Sequence, residues 1–151
     1  VKGEKMKKIH IVVLCAIFLS LLISCGNHGV PEEALEVVKT EMSDFEDRGY
    51  SIDVTPSGKD CIVVRVELPD FSYTMTSAML GDPYELEYWN DSIGDCIEFT
   101  EELKSLLESA GYDDIYAQME IYSEKDHDTL FLQVKNGLLM YDIVNGIDIR
   151  N

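Results

Sequence analysis

Between Asp82-Pro83 and Gly111 the sequence places Leu86, Trp89, Ile93, Cys96, Thr100, Leu103, Leu107 and Ala110 at alternating steps of three and four. That spacing gathers all eight on one stripe of a long α-helix, with Thr100 its only polar member, so the fold must supply a broad apolar surface for the helix to lie on. Gly94 inside the stripe costs about 1 kcal/mol relative to Ala, which leaves a break at residues 90–94 as an open alternative.

Strands are the natural source of that surface. Residues 115–122 and 129–135 flank a polar turn at 123–128, and Asn136-Gly137 is the strongest hairpin signal in the chain. A two-residue turn there pairs Val134 with Leu139, Leu132 with Tyr141 and Leu130 with Ile143, which brings six large apolar groups to one face. Asn145-Gly146 offers a further turn into a short segment at 147–149. Upstream, a helix starting at Pro31 carries Glu32, Glu33 and Glu36 near the positive end of its dipole and buries Leu35, Val38, Met42 and Phe45, with Gly49 as its stop. Strands at 50–55 and 61–68 follow, joined by Pro56-Ser57-Gly58-Lys59. Ile62, Val64, Val66 and Leu68 alternate toward the core, with Cys61, Arg65 and Glu67 on the other face. Residues 71–80 fit either a short helix or a loop. The order α-β-β-α-β-β-β predicts an α+β fold, an antiparallel sheet with helices packed on one face in two layers.

The N-terminus is of another kind. Lys2, Lys5, Lys7 and Lys8 precede a run from Ile9 to Ile23 interrupted only by His10 and Ser20. As a helix, about 15 residues reach roughly 22 Å, short of the roughly 30 Å hydrocarbon core of a bilayer, so a secretory signal is expected rather than a permanent span.

Leu22-Ile23-Ser24-Cys25 closes that run, and here the sequence resembles a bacterial lipoprotein precursor, with a lipobox matching these four residues. The resemblance implies cleavage after Ser24, a diacylglyceryl thioether on Cys25, and a location on the cell membrane facing away from the cytoplasm. It divides the chain into a signal peptide at 1–24, a lipidated Cys and short tether at 25–30, and a single α+β domain at 31–151. Two acyl chains give stable attachment where one anchors only marginally. An uncleaved anchor with an ordinary thiol at Cys25 is the alternative. In layout alone, the domain is similar to small uncharacterised lipoprotein domains of Gram-positive bacteria, a likeness that carries no catalytic residues.

Charge narrows the partners. The 151 residues hold 12 Lys and Arg against 29 Asp and Glu, a net −17, with a pI near 4.3. Loss of the signal would leave eight basic residues against 28 acidic ones. Such a domain excludes nucleic acid as a partner and would be repelled by anionic lipid, so membrane affinity falls to the lipid at Cys25.

Few chemistries find the residues they need. His127 is the only histidine after the tether, so a zinc site with two or more histidines cannot be built. A calcium loop starting at Asp53 fails because Val64 stands where a bidentate Glu is required. There is no Gly-rich phosphate loop, nucleophile elbow or HExxH sequence, and no cofactor or metal is expected. Cys61 and Cys96 could form a disulfide, but their phases disagree; two free, partly buried thiols are the alternative. One surface stands out. With Ala117, Met119 and Ile121 facing the helices, Tyr116, Tyr122, Phe131 and Met140 fall on the opposite sheet face beside Arg65 and Gln133. The expectation is a non-enzymatic, membrane-anchored module that binds another envelope protein, or itself, through that face. The rival expectation is a binder of a small solute or cation, using carboxylates near Asp126 and Asp128 or a pocket beside Trp89.

Overall fold

The computed structural model describes residues 29–150; the signal, Ser24, Cys25 and most of the tether lie outside them. Helix α1 (Glu32–Asp47) leads into strands β1 (Ser51–Ser57) and β2 (Cys61–Glu67), then helices α2 (Phe71–Met79) and α3 (Pro83–Ser109), then strands β3 (Tyr116–Tyr122), β4 (Leu130–Lys135), β5 (Leu138–Asp142) and β6 (Ile147–Asp148). The fold is α+β, with one more helix and one more strand than the expected order. None of the described helices is long and apolar enough to cross a membrane.

The six strands lie side by side in chain order. Every neighbouring pair is antiparallel except β2 and β3, which run parallel. The expected antiparallel sheet is therefore mixed. The reason is the connection: α2 and α3 form a crossover, and the 27-residue α3 returns the chain over about 40 Å to the end of the sheet where β2 began. β1 is an edge strand, which is why Pro56 is tolerated inside it.

α3 is continuous through Gly94. Asp82 caps its start, its Oδ1 accepting from the amides of Tyr84 (3.0 Å) and Glu85 (3.2 Å), with Pro83 in the first turn. Trp89, Ile93, Cys96, Thr100, Leu103 and Leu107 are buried as the periodicity predicts. The helix spans two apolar clusters on the same sheet face. Its C-terminal half joins Ala34, Val38 and Met42 of α1 over Ile62, Val64, Val66 and Ala117. Its N-terminal half joins Phe71 and Ala78 of α2 over Ile121, Leu132 and Val134. Helix α2 has a non-local cap. Asp70 precedes it with φ 61° and makes no capping bond, while Glu124 in the β3–β4 loop accepts from the Ser72 amide (3.2 and 3.3 Å) and hydroxyl (2.6 Å).

The Asn136-Gly137 hairpin forms with both residues at positive φ, and it pairs Lys135 with Leu138 and Val134 with Leu139. Beyond that the expected register fails: Gln133 pairs with Tyr141, and Leu132 with Asp142 rather than Tyr141. Met140 is the extra residue of a bulge, which turns Tyr141 to the face away from the helices. The turn is tied down by Thr100, whose hydroxyl accepts from the Gly137 amide at 2.9 Å, which accounts for the one polar residue on the buried stripe.

Asp142 is fully buried, and its carboxylate accepts from the Trp89 indole (3.0 Å), the amides of Val144 (2.9 Å) and Asn145 (3.2 Å), and the Asn145 side chain. These bonds satisfy a charge that would otherwise be prohibitive there. Trp89 is enclosed between Asp142 and the stacked ring of Phe71, 5.1 Å away.

Candidate functional site

Strand alternation sends Cys61, Val63, Arg65 and Glu67 of β2 and Tyr116, Gln118, Glu120 and Tyr122 of β3 to the face opposite the helices. The register sets them in transverse rows. One row runs Thr55, Val63, Gln118, Lys135, Leu138; the next runs Asp53, Arg65, Glu120, Gln133, Tyr141, Asp148.

Arg65 is the best-held group on this face. Its guanidinium lies 4.0 Å from the Tyr122 ring centre, reaches Glu67 Oε1 at 3.4 Å, and donates to the His127 carbonyl. Glu67 Oε2 sits 2.8 Å from His127 Nδ1, so the β3–β4 loop is fastened to β2 through these residues. Beside them, Gln118 and Gln133 each donate to Glu120 Oε1 at 2.7 Å. Burial, and then the adjacent Glu120 carboxylate, raise the Tyr122 phenol above its ordinary range and keep it neutral. Two more tyrosines carry cations: Lys135 Nζ stands 4.8 Å from the Tyr116 ring, and Arg150 lies 4.0 Å from the Tyr141 ring while gripping Asp148 with two bonds of 2.8 and 2.6 Å.

Tyr116, Tyr122 and Arg65 share the open face as the alternation predicts; Arg65 and Tyr122 touch, whereas Tyr116 stands at the other end of β3, roughly 20 Å away. Met140, the bulge residue, is half-buried. Phe131 corrects the expectation: it is 1% exposed and belongs to the helix-side cluster with Phe71 and Trp89. A register shift at Ile121/Tyr122 pairs Ile121 with Leu132 and Tyr122 with Leu130, so Phe131 is skipped in the pairing and its ring joins the core. Of the two alternatives for Cys61 and Cys96, the disulfide is absent and the free thiols are present. Both are free and buried, Cys61 on the open-face phase of β2 and Cys96 on α3 across the sheet. Burial pushes both thiols up, Cys96 to about 12.

The sequence points to Gln133 beside Arg65, but Lys135, Tyr141 and Arg150 join this surface only in the structure. Counting by twos from Tyr116 reaches Gln118 and Glu120, but Tyr141 arrives only through the bulge, and Arg150 has no sequence signal. In the 123–128 turn, Asp126 accepts from the amides of Asp128 (3.1 Å) and Thr129 (3.0 Å) and from the Thr129 hydroxyl (2.7 Å), so its carboxylate closes the turn. Among the described residues, no group of three or more His, Cys, Asp or Glu side chains is placed to hold a metal ion.

No family model matches this chain, and no curated protein or solved structure matches it either.

Proposed function

We propose that this chain is a lipoprotein held on the outer side of the cell membrane through Cys25, and that its domain is a two-layer, non-enzymatic module that binds another envelope protein through the open sheet face. The observation that carries this reading is the set of three tyrosines, Tyr116, Tyr122 and Tyr141, each stacked with a cation on the face away from the helices. Aromatic and arginine side chains dominate binding energy at protein interfaces, and rings whose cations are already in place lose little freedom on docking. A tether of about five residues reaches at most roughly 17 Å, which keeps the module close to the membrane and favours a partner that is itself in the envelope.

In-cell crosslinking of the tagged full-length protein, followed by membrane extraction and mass spectrometry, tests the proposal. One partner is expected near equal stoichiometry, and the Tyr122→Asp/Arg65→Glu double variant is expected to fold and lose it. A self-crosslink would identify a second copy as the partner. Undiminished recovery by the folded double variant would remove this face from the account. Cys25→Ser is expected to move the protein out of the membrane fraction; retention there would remove the lipid anchor.

A further inference from the structure

A second surface lies between α1 and α3, on the far side of the molecule from the tyrosine face. The two helices touch through Phe45 and Phe99, edge to face at 5.7 Å. Depressions follow the seam between them on both sides of this contact and form a shallow groove. At the end of the seam near Tyr50 is an apolar recess of about 260 Å³, with Phe45, Tyr50, Phe99 and Met119 in its wall. At the other end is a shallow depression of about 620 Å³ around Val37 and Leu106. A recess at Phe99, Leu103 and Leu106 joins them. Val37, Phe45, Phe99 and Leu106 remain half-buried although both helices are otherwise well seated on the sheet.

We propose that this groove docks a basic amphipathic helix of a partner protein. Two features select that occupant. The first is charge: Glu32, Glu33, Glu36, Glu41, Asp95 and Glu102 line the groove, six carboxylates against two cations at its edge, Lys39 bonded to Glu36 at 2.9 Å and Arg48 over the Phe45 ring. A second copy of the chain would bring the same carboxylates against these, and an anionic lipid surface or nucleic acid would be repelled in the same way. The second is spacing. Val37 and Phe45 are eight residues apart and Leu106 and Phe99 seven, which on a helix is about two turns, or roughly 11 Å. That is the separation of the i and i+7 anchors that a helix presents to a groove. The site does not depend on the sheet-face reading, because no residue is shared between them.

The test uses a synthetic 14-residue peptide with leucine at i, i+4, i+7 and i+11 and lysine elsewhere, titrated into the full chain and followed by methyl NMR. An analogue with glutamine in place of lysine, and spermine, serve as probes of the stripe alone and of charge alone. Shifts are expected at the Val37 and Leu106 methyls, with at least tenfold weaker binding by the glutamine analogue. Leu106→Asp is expected to weaken the lysine peptide at least tenfold; because this change adds a negative charge, a loss reports the apolar contact. Glu41→Gln with Glu102→Gln is expected to weaken it at least threefold, and Arg65→Glu to leave it unchanged. Shifts confined to other surfaces, displacement by spermine at equal charge, or unaltered binding to Leu106→Asp would overturn the proposal. If Leu106→Asp does not fold, Val37→Ala with Leu106→Ala makes the same comparison, with the same threshold.

Discussion

Helices α1 and α3 carry seven carboxylates against one lysine and eight against one, whereas the open sheet face sets Asp53, Glu67, Glu120 and Asp148 against Arg65, Lys135 and Arg150 in hydrogen-bonded rows. The same acidic chain thus treats charge in two ways. On the helices, charge accumulates along the rims of a groove and acts as a field, attracting cations without fixing their position. On the sheet, every one of these charges except the exposed Asp53 is held by a neighbour or a ring, so the surface has a defined shape before anything binds. Under the two proposals, a partner of the first surface would be selected by sign and one of the second by fit.

The sharpest way to break that distinction is to truncate one aromatic from each side of the sheet. Phe131→Ala removes a ring enclosed on the helix side and is expected to cost about 3–5 kcal/mol, a large share of the stability of a domain this size. Tyr122→Ala removes a ring from the open face and is expected to cost about 1 kcal/mol or less while reducing partner recovery. Urea denaturation of both variants gives the two numbers. Equal costs would mean that the sheet face is core, covered by something else, and would end its candidacy as a binding surface.

Next in size is Asp142→Ala. Losing this carboxylate leaves the Trp89 indole N–H buried without its partner and frees the turn after β5, for an expected loss of about 2–3 kcal/mol. Because Trp89 is the only tryptophan, its fluorescence should shift to longer wavelength if water enters. An unchanged spectrum and stability would mean that α3 is held by its apolar stripe alone. Gly137→Ala is expected to cost about 1–2 kcal/mol: φ is +76°, and a Cβ there would meet Cγ, Cδ and Oε1 of Glu101, an exposed side chain that can swing aside. Backbone strain therefore dominates over the clash, and Glu101→Ala in the same chain should restore little of the loss.

These sites also mark how far the residues announce the fold. The stripe from Leu86 to Leu107 is legible because a repeated step leaves few ways to bury it, and the burial of Ile93 and Cys96 on either side of Gly94 shows why one glycine does not break the helix. Helix α2 is not legible, since its capping carboxylate, Glu124, is 52 residues away. The parallel pairing of β2 with β3 is not legible either, because local alternation is the same in both strand directions and only the path of α2 and α3 decides. Tyr116, Tyr122 and Arg65 fall on the face that alternation gives them because β2 and β3 pair without a break. Phe131 was misplaced where a bulge intervenes, since packing of a large ring beside Trp89 overrides the count by twos. The Cys61 thiol followed the count and therefore could not meet Cys96.

The smallest effect concerns whether the loop beside the sheet face is as firmly held as the rows within it. Three bonds, the Thr129 hydroxyl first, hold the Asp126 carboxyl down to about 2 from its ordinary 3.8. The folded value lies below the unfolded one, so the bonded carboxylate stabilises the fold above about pH 4, and that contribution is lost as pH falls toward 2. Carboxyl-carbon NMR should find a midpoint near 2, and Thr129→Val should raise it toward 3.8 by removing the leading bond. A midpoint of 3.8 in the unaltered protein would mean that the turn is open in solution. His127 would then no longer be presented to Glu67, Arg65 would lose the carbonyl that helps fix it, and the sheet face would act by sign, as the helices do.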